Sequence, residues 1–247
     1  MGSERFTVGW LYPDLMNIYG DRGNILTLLR RAEWRGFEAR VVELGRGNVK
    51  EMEEVDVFFF GGGQDREQAL VYEDLLEFKQ PPLERAVAQG AGVLAVCGGY
   101  QLLGHYYQTA EGERFPGIGM IDVRTEAGKK RFIGDVVVDC DVLGLSPPTL
   151  VGFENHSGRT FLGPAAKPLG RVRIGFGNNG SDRTEGCLQG TVIGTYLHGS
   201  LLPKNPHLAD HLIRNALSRR GVAELSPLDD SVELAAHERI LQRAPSR

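Results

Sequence analysis

Val93-Leu94-Ala95-Val96-Cys97-Gly98-Gly99-Tyr100-Gln101-Leu102-Leu103 joins a short apolar run to the start of a helical pattern through a cysteine and two glycines. An unbroken apolar run suits a strand covered on both faces, as the strands of a parallel sheet are. A sharp turn at its end leaves the Cys97 sulfur above the strand and beside a helix N-terminus, the geometry of a nucleophile elbow. Backbone N–H groups and the positive end of the helix dipole stabilise a thiolate there, and the thiolate is the form that attacks. Gly98 and Gly99 remove the Cβ atoms that would crowd such a turn or block a substrate. A cysteine after an apolar run is by itself most simply a buried structural residue. The paired glycines and a histidine further along the chain favour the reactive reading.

Toward the N-terminus, residues 6–12 read as a first strand stopped by Pro13. A helix is expected within 24–35, where Ile25, Leu28, Leu29 and Ala32 recur at helical spacing, with Asp21 as its cap and Gly36 as its stop. Strands follow at 39–44 and 55–60, the second ending in Gly61-Gly62-Gly63. Helical segments fit 66–78 and 83–89, with Pro81-Pro82 as the break between them. Strands alternating with helices call for a parallel sheet with right-handed crossovers. After about residue 108 the pattern changes to short β-like runs (133–138, 172–174, 192–196) separated by Gly and Pro, with loops around 146–148 and 177–180. These are expected as strands added to the sheet and as a second small sheet near the active face. Helical segments at 207–219 and 232–242 close the chain. The expected organisation is one catalytic domain over 5–220 and a C-terminal helical tail over 221–247, with no internal repeat.

A chain of 247 residues can bury one large α/β core, alone or with a small appendage. Twenty-eight Lys and Arg against 32 Asp and Glu give a formal charge of −4, and no basic run or aromatic–basic stripe appears, so nucleic acid is not an expected partner. The three cysteines, Cys97, Cys140 and Cys187, are odd in number and far apart, which argues against a disulfide framework; no CxxC pair points to a metal. The N-terminus lacks a signal-type apolar region, and no stretch is long enough to span a bilayer. A cytoplasmic protein without direct membrane insertion is expected.

In a parallel sheet, ligands bind beyond the carboxyl ends of the strands. Gly61-Gly62-Gly63 ends one strand, Cys97 ends another, and His198 ends the run 192–197. A thiol and an imidazole at neighbouring strand ends form a nucleophile–base pair. The glycine loop places the Gly62 N–H opposite that of Gly98, a pair of donors suited to the oxyanion of a tetrahedral intermediate. Singly these features are ordinary, since a Gly triplet is often only a loop and a lone His after a strand more often a structural hydrogen-bonder. Together they point to catalysis.

Five segments carry a family resemblance: 60–65 (Phe-Gly-Gly-Gly-Gln-Asp), 95–101 (Ala-Val-Cys-Gly-Gly-Tyr-Gln), 194–199 (Gly-Thr-Tyr-Leu-His-Gly), 152–158 (Gly-Phe-Glu-Asn-His-Ser-Gly) and 11–24 (Leu-Tyr-Pro-Asp-Leu-Met-Asn-Ile-Tyr-Gly-Asp-Arg-Gly-Asn). They resemble the class I glutamine amidotransferases, in the branch that contains the cobyrinic and cobyric acid amidation enzymes, over roughly residues 5–215. The last two resemble in particular the glutaminase subunits that serve lipid II amidation. The resemblance implies a flavodoxin-like α/β fold with a mostly parallel central sheet flanked by helices and additional β-strands in the second half. It implies that Cys97 attacks the side-chain amide of L-glutamine, that His198 protonates the departing ammonia, and that water then hydrolyses the γ-glutamyl thioester. It implies further that ammonia passes to a MurT-like, Mur-ligase-related partner that amidates D-glutamate of the lipid II stem peptide. No cofactor is implied in this chain, with ATP and Mg expected on the partner ligase, and lipid II is met through the partner. Arg131 matches an arginine that binds the glutamine substrate, in keeping with a guanidinium's fit to the α-carboxylate. Gln101 and the loop residues Asn155, His156 and Ser157 are further candidates for contacting glutamine.

Two departures stand out. Ala95 occupies a position two residues before the cysteine that is usually glycine, and a methyl there is small. More important, Gly199-Ser200 follows His198 where class I triads usually carry Pro-Glu, so no carboxylate orients the imidazole from that position. The resemblance implies an acid supplied by the partner, and Glu154 is the internal alternative. Two other readings compete: the glutaminase of another cobyrinate-type amidation, and a sensor or scaffold that uses the elbow cysteine without catalysis. The first usually carries a long ATP-binding domain, and no Walker-type motif occurs here.

Overall fold

The apolar runs that dominate the first hundred residues lie side by side in one sheet. The structure, a computed structural model, describes residues 4–17, 21–63, 65–222 and 224–243. Its first half alternates β1 (Arg5–Leu11), α1 (Arg22–Glu33), β2 (Glu38–Leu44), β3 (Val57–Phe60), α2 (Asp65–Asp74), α3 (Gln80–Ala88), β4 (Gly92–Val96) and α4 (Gly98–Leu103). Short strands β5 (Tyr106–Gln108) and β6 (Arg114–Pro116) lead to a long hairpin of β7 (Val123–Asp139) and β8 (Thr149–Leu162). Then come β9 (Gly170–Ile174), β10 (Thr184–Glu185), β11 (Cys187–Gln189), β12 (Val192–Thr195), α5 (Pro206–Ser218) and α6 (Ser231–Arg243).

Six strands in the order β11-β12-β4-β3-β1-β2 form the central sheet, parallel except for β11. Every residue of β3, β4 and β12 is buried, because helices cover both faces of a doubly wound sheet. The register sets Phe60 opposite Ala95 and Thr195 opposite Val96, so the residues following β3, β4 and β12 emerge together at one end. Ala95 is fully buried, and its neighbour on β12 is Gly194, whose missing side chain leaves room for the Tyr100 ring.

Four expectations are corrected. The second sheet is not small: it has six strands, and β7 and β8 pair along most of their length, with a register shift between Ala127 and Phe132. Residues 152–158, expected as a loop, belong to β8. Their glycines and polar residues read as a turn, but the ladder to β7 overrides that preference, strand propensity being largely a matter of neighbours. No break occurs at Pro81-Pro82. The chain passes from α2 through one π-helical turn, Leu75–Lys79, into α3, and the prolines fall in the first turn of α3, directly after that irregularity. Asp21 precedes α1 but makes no side-chain cap bond to it.

The C-terminal helix packs on the body. His237 of α6 is buried, with its Nε2 2.8 Å from Thr149 Oγ1 and its Nδ1 2.9 Å from the Lys204 carbonyl. On α1, Arg31 is 2% exposed and donates to Asp210 on α5 at 2.7 Å and to Asp230, just ahead of α6, at 2.6 Å. Removing one member of a buried ion cluster leaves the others uncompensated, which typically costs about 3 kcal/mol or more. Arg31→Ala is therefore expected to lower stability by about 3 kcal/mol in urea melts and to speed protease cutting between α5 and α6. Unchanged cutting would mean that other contacts hold the tail.

Candidate active site

The turn from β4 into α4 places Cys97. Its φ of 51° and ψ of −106° lie where a non-glycine residue is strained, and the residue is 8% exposed. Its amide donates to the Thr195 carbonyl at 2.9 Å, and its carbonyl accepts from Gln101 at 3.0 Å, so the turn is pinned from both sides. The turn also requires close approach of the glycine loop. A Cβ on Gly99 would lie 2.5 Å from the Phe60 carbonyl oxygen, and one on Gly98 would lie 2.9 Å from the Gly63 nitrogen.

Beyond β12 the chain runs antiparallel to β8 for one residue. His198 N–H donates to the Phe153 carbonyl at 2.8 Å, and Phe153 N–H returns a 3.3 Å bond. The approach to it is held by Glu185, a fully buried carboxyl that accepts from Thr195 Oγ1 at 2.6 Å and from the Tyr196 amide at 2.8 Å. Burial pushes the Glu185 pKa up to about 7. Cys97, His198 and the glycine loop meet at Gly62, where a Cβ would lie 3.2 Å from His198 Cε1 and 3.6 Å from Cys97 Cβ.

His198 is 1% exposed, and its pKa is lowered to about 3. Burial is the main cause, followed by coupling to the neighbouring His156 ring and to the Arg131 guanidinium. The imidazole is thus neutral over the physiological range and suited to accept a proton. Holding that proton is costly until something negative arrives.

Side chains along β8 alternate, as a strand requires. Glu154, His156 and Thr160 point inward, whereas Phe153, Asn155 and Ser157 are at least partly exposed. Of the five candidate substrate contacts, Ser157 is half-buried on the same face of β8 as Asn155, and the other four divide into two pairs. Arg131 and Asn155 stand together on the exposed rim, with Arg131 Nη1 2.9 Å from Asn155 Oδ1. Gln101 and His156 are buried behind the site. Gln101 Nε2 donates to the Tyr196 hydroxyl at 3.1 Å, and its Oε1 accepts from Gln68 at 3.0 Å. His156 stacks on Tyr196 with centroids 3.6 Å apart and bonds the Gly158 carbonyl through Nδ1 at 2.9 Å. Glu154 accepts the amides of Phe176 at 2.8 Å and Gly177 at 3.0 Å, so both its oxygens hold a turn after β9. Its Oε2 lies 3.8 Å from His156.

Sequence reasoning missed Asp21 as a neighbour of the site. Its Oδ2 accepts the Gly62 N–H at 2.8 Å, so that amide faces Asp21 in this structure. The position lies inside the 11–24 segment that carried part of the family resemblance, and that segment was the available signal.

A cysteine on a strained strand–helix turn, a buried imidazole on the next strand and a glycine loop between them, on a mostly parallel sheet, define a glutamine amidotransferase domain. The chain belongs to the CobB/CobQ-like glutamine amidotransferase domain family, whose model matches residues 7–206. It is 41% identical over 242 residues to the lipid II isoglutaminyl synthase (glutamine-hydrolyzing) subunit GatD of Staphylococcus aureus strain N315, covering 98% of this chain and 97% of that one. The subunit of the same name from Streptococcus pneumoniae R6 is 38% identical, with 97% and 88% covered. Among solved structures, a crystal structure of a glutamine amidotransferase superposes with a TM-score of 0.57 at 18% identity, covering 85% of this chain and 98% of that one, and shows the shared fold.

The lowered His198 pKa has a consequence for stability. An ordinary histidine takes up its proton near pH 6.5, whereas the folded site resists it down to about 3. The unfolded chain therefore binds more protons between these values, and stability falls as pH drops through that window. His198→Asn removes this contribution and is expected to flatten the fall in stability between pH 6.5 and 4, by up to about 3 kcal/mol at pH 4 in urea melts. Parallel curves for mutant and wild type would contradict the buried neutral imidazole.

Proposed function

We propose that this chain is the glutaminase subunit of a lipid II isoglutaminyl synthase, hydrolysing L-glutamine and handing ammonia to a MurT-like, ATP-dependent ligase that amidates D-glutamate of the stem peptide. The observation that carries the reading is the convergence of Cys97, His198 and the glycine loop at Gly62. The family membership and the names of the two GatD relatives support the acceptor.

In this reading the Cys97 thiol gives its proton to neutral His198, and the thiolate adds to the amide carbon of glutamine. The oxyanion is met by the N–H groups of Gly98 and Gly62. His198 returns the proton to the leaving nitrogen, ammonia departs, and a γ-glutamyl thioester remains. Water, deprotonated by His198, releases glutamate and restores the thiol. Arg131 and Asn155 on the rim hold the α-carboxylate of glutamine. Substrate then neutralises the Arg131 charge that disfavours protonated His198, so binding makes the imidazole a better base. Gln101 and His156 shape the wall behind the substrate. ATP and Mg belong to the ligase, and lipid II is reached through it, on the cytoplasmic face of the membrane. Among the described residues no helix is long and apolar enough to cross a membrane.

The acid of the triad comes from the partner. Ser200 stands where a carboxylate would follow the histidine, and Glu154 is engaged by the Phe176 and Gly177 amides. A carboxylate docked beside His198 would offset the burial and the Arg131 charge that lower its pKa, and would fix the ring.

The test is to titrate the ligase against the rate of glutamine hydrolysis, with Cys97→Ala as the blank. A slow chain accelerated on the order of a hundredfold by the ligase is expected, because aligning a misplaced catalytic group restores about that much. Equal rates with and without ligase would place the orienting group within this chain. Arg131→Ala is expected to raise KM for glutamine about tenfold to a hundredfold with kcat nearly unchanged, since its contact is to a part of the substrate that does not react. A fall in kcat at constant KM would remove Arg131 from substrate binding.

A further inference from the structure

One buried carboxyl at the site has no part in the chemistry above. Asp21 is fully buried ahead of α1, and it turns away from capping that helix to accept the Gly62 N–H at 2.8 Å. Its other oxygen, Oδ1, is buried with no hydrogen-bond partner among the described residues. The carboxyl packs against the glycine loop: a Cβ on Gly61 would lie 2.8 Å from Asp21 Oδ2, and one on Gly62 would lie 3.6 Å from it. The same Cβ on Gly62 would lie 3.2 Å from His198 Cε1 and 3.6 Å from Cys97 Cβ, so Asp21 lies against the same glycine as the base and the thiol.

A peptide N–H has one direction. While the Gly62 N–H is given to Asp21, it cannot also point at the oxygen that becomes negative above Cys97. The hydrogen bond holding it is strong when the acceptor is ionised and buried, and weaker when the acceptor is neutral. Burial also pushes the Asp21 pKa up to about 7.

The segment that carries Asp21 is fastened to the loop after His198 as well. A Cβ on Gly23 would lie 2.3 Å from Ser200 Oγ, so only a glycine leaves room for that side chain. Asn24 Oδ1 accepts the Leu202 amide at 2.9 Å. Residues 21–24 therefore bridge the loop that supplies the oxyanion donor and the loop that supplies the base, and a displacement of one is transmitted to the other.

We propose that Asp21 is a positioning residue that withholds the Gly62 N–H from the oxyanion hole in the isolated chain, and that the donor is released when the ligase docks against the His198 loop and shifts residues 21–24. This rests on the glutaminase reading and adds to it a residue and a mechanism of control. The slow resting reaction expected of the isolated chain then has a further origin, a donor turned the other way.

The test compares kcat and KM for glutamine in wild type, Asp21→Asn and Asp21→Ala, each alone and saturated with the ligase. Asn keeps the size and a carbonyl acceptor but loses the charge, whereas Ala removes the acceptor. The resting kcat is expected to rise from wild type through Asn to Ala, by about tenfold or more for Ala, since one oxyanion donor is worth on the order of a hundredfold. KM is expected to stay constant, and the three proteins to converge when the ligase is bound. A purely structural aspartate would instead lower kcat in both states along with Tm. A resting kcat at or below wild type in Asp21→Asn folded with wild-type Tm overturns the assignment, whatever the stability of Asp21→Ala. The wild-type complex measured alongside separates the two ideas. Hydrolysis there with no rise in the variants removes Asp21 alone, whereas no hydrolysis there removes the glutaminase reading and this inference with it.

Discussion

The site depends on the backbone turn at Cys97. A cysteine at φ 51° is in a conformation that most side chains avoid, and it persists because the surroundings over-determine it. Bonds to Thr195 and Gln101 fix its amide and carbonyl, and Gly98 and Gly99 admit the glycine loop to within contact of the turn. The strand register then does the rest. Parallel pairing of β12, β4 and β3 brings the imidazole, the thiol and the glycine amides to one end of the sheet.

Around that turn the site is dry and close to neutral. His198 resists a proton down to about pH 3, while Asp21 and Glu185 are both pushed up to about 7 by burial. Groups in this condition are poised to respond to a charge brought from outside, because one new carboxylate or one new cation has little solvent to screen it. The positive charge lies at the rim with Arg131, where an anionic substrate group would meet it. In the proposed reaction, glutamine at Arg131 and a carboxylate from the ligase would both act on this imidazole, which would tie ammonia release to the presence of both.

The central sheet was legible in the sequence because its strands are apolar on both faces and punctuated by glycine. Residues 57–60 and 92–96 could hardly be anything else, and each ends at a loop of the candidate site. The second sheet was far less legible. β8 includes Gly152, Asn155, Ser157 and Gly158, which argue for a loop taken alone; only the antiparallel ladder to β7 makes them a strand. Cys97 and His198 could be placed at neighbouring strand ends from periodicity, but the partners of Gln101 and Glu154 could not. Their side chains are held by residues distant in sequence: Gln101 by Gln68 and Tyr196, Glu154 by the amides of Phe176 and Gly177. Asp21 illustrates the same limit, since an aspartate just before a helix reads as a cap until the loop 41 residues away takes its oxygen.

The central claim is that Cys97 is the nucleophile that attacks glutamine. Its most direct measurement is mass spectrometry of the chain after reaction with a glutamine-like electrophile such as diazo-oxonorleucine. Cys140 and Cys187 are fully buried, with thiols pushed up to about 11 and about 12, so neither offers a competing thiolate. A single adduct on Cys97 that excess L-glutamine suppresses is the predicted result. Labelling of Cys140 or Cys187, or labelling of Cys97 that glutamine does not affect, would contradict it.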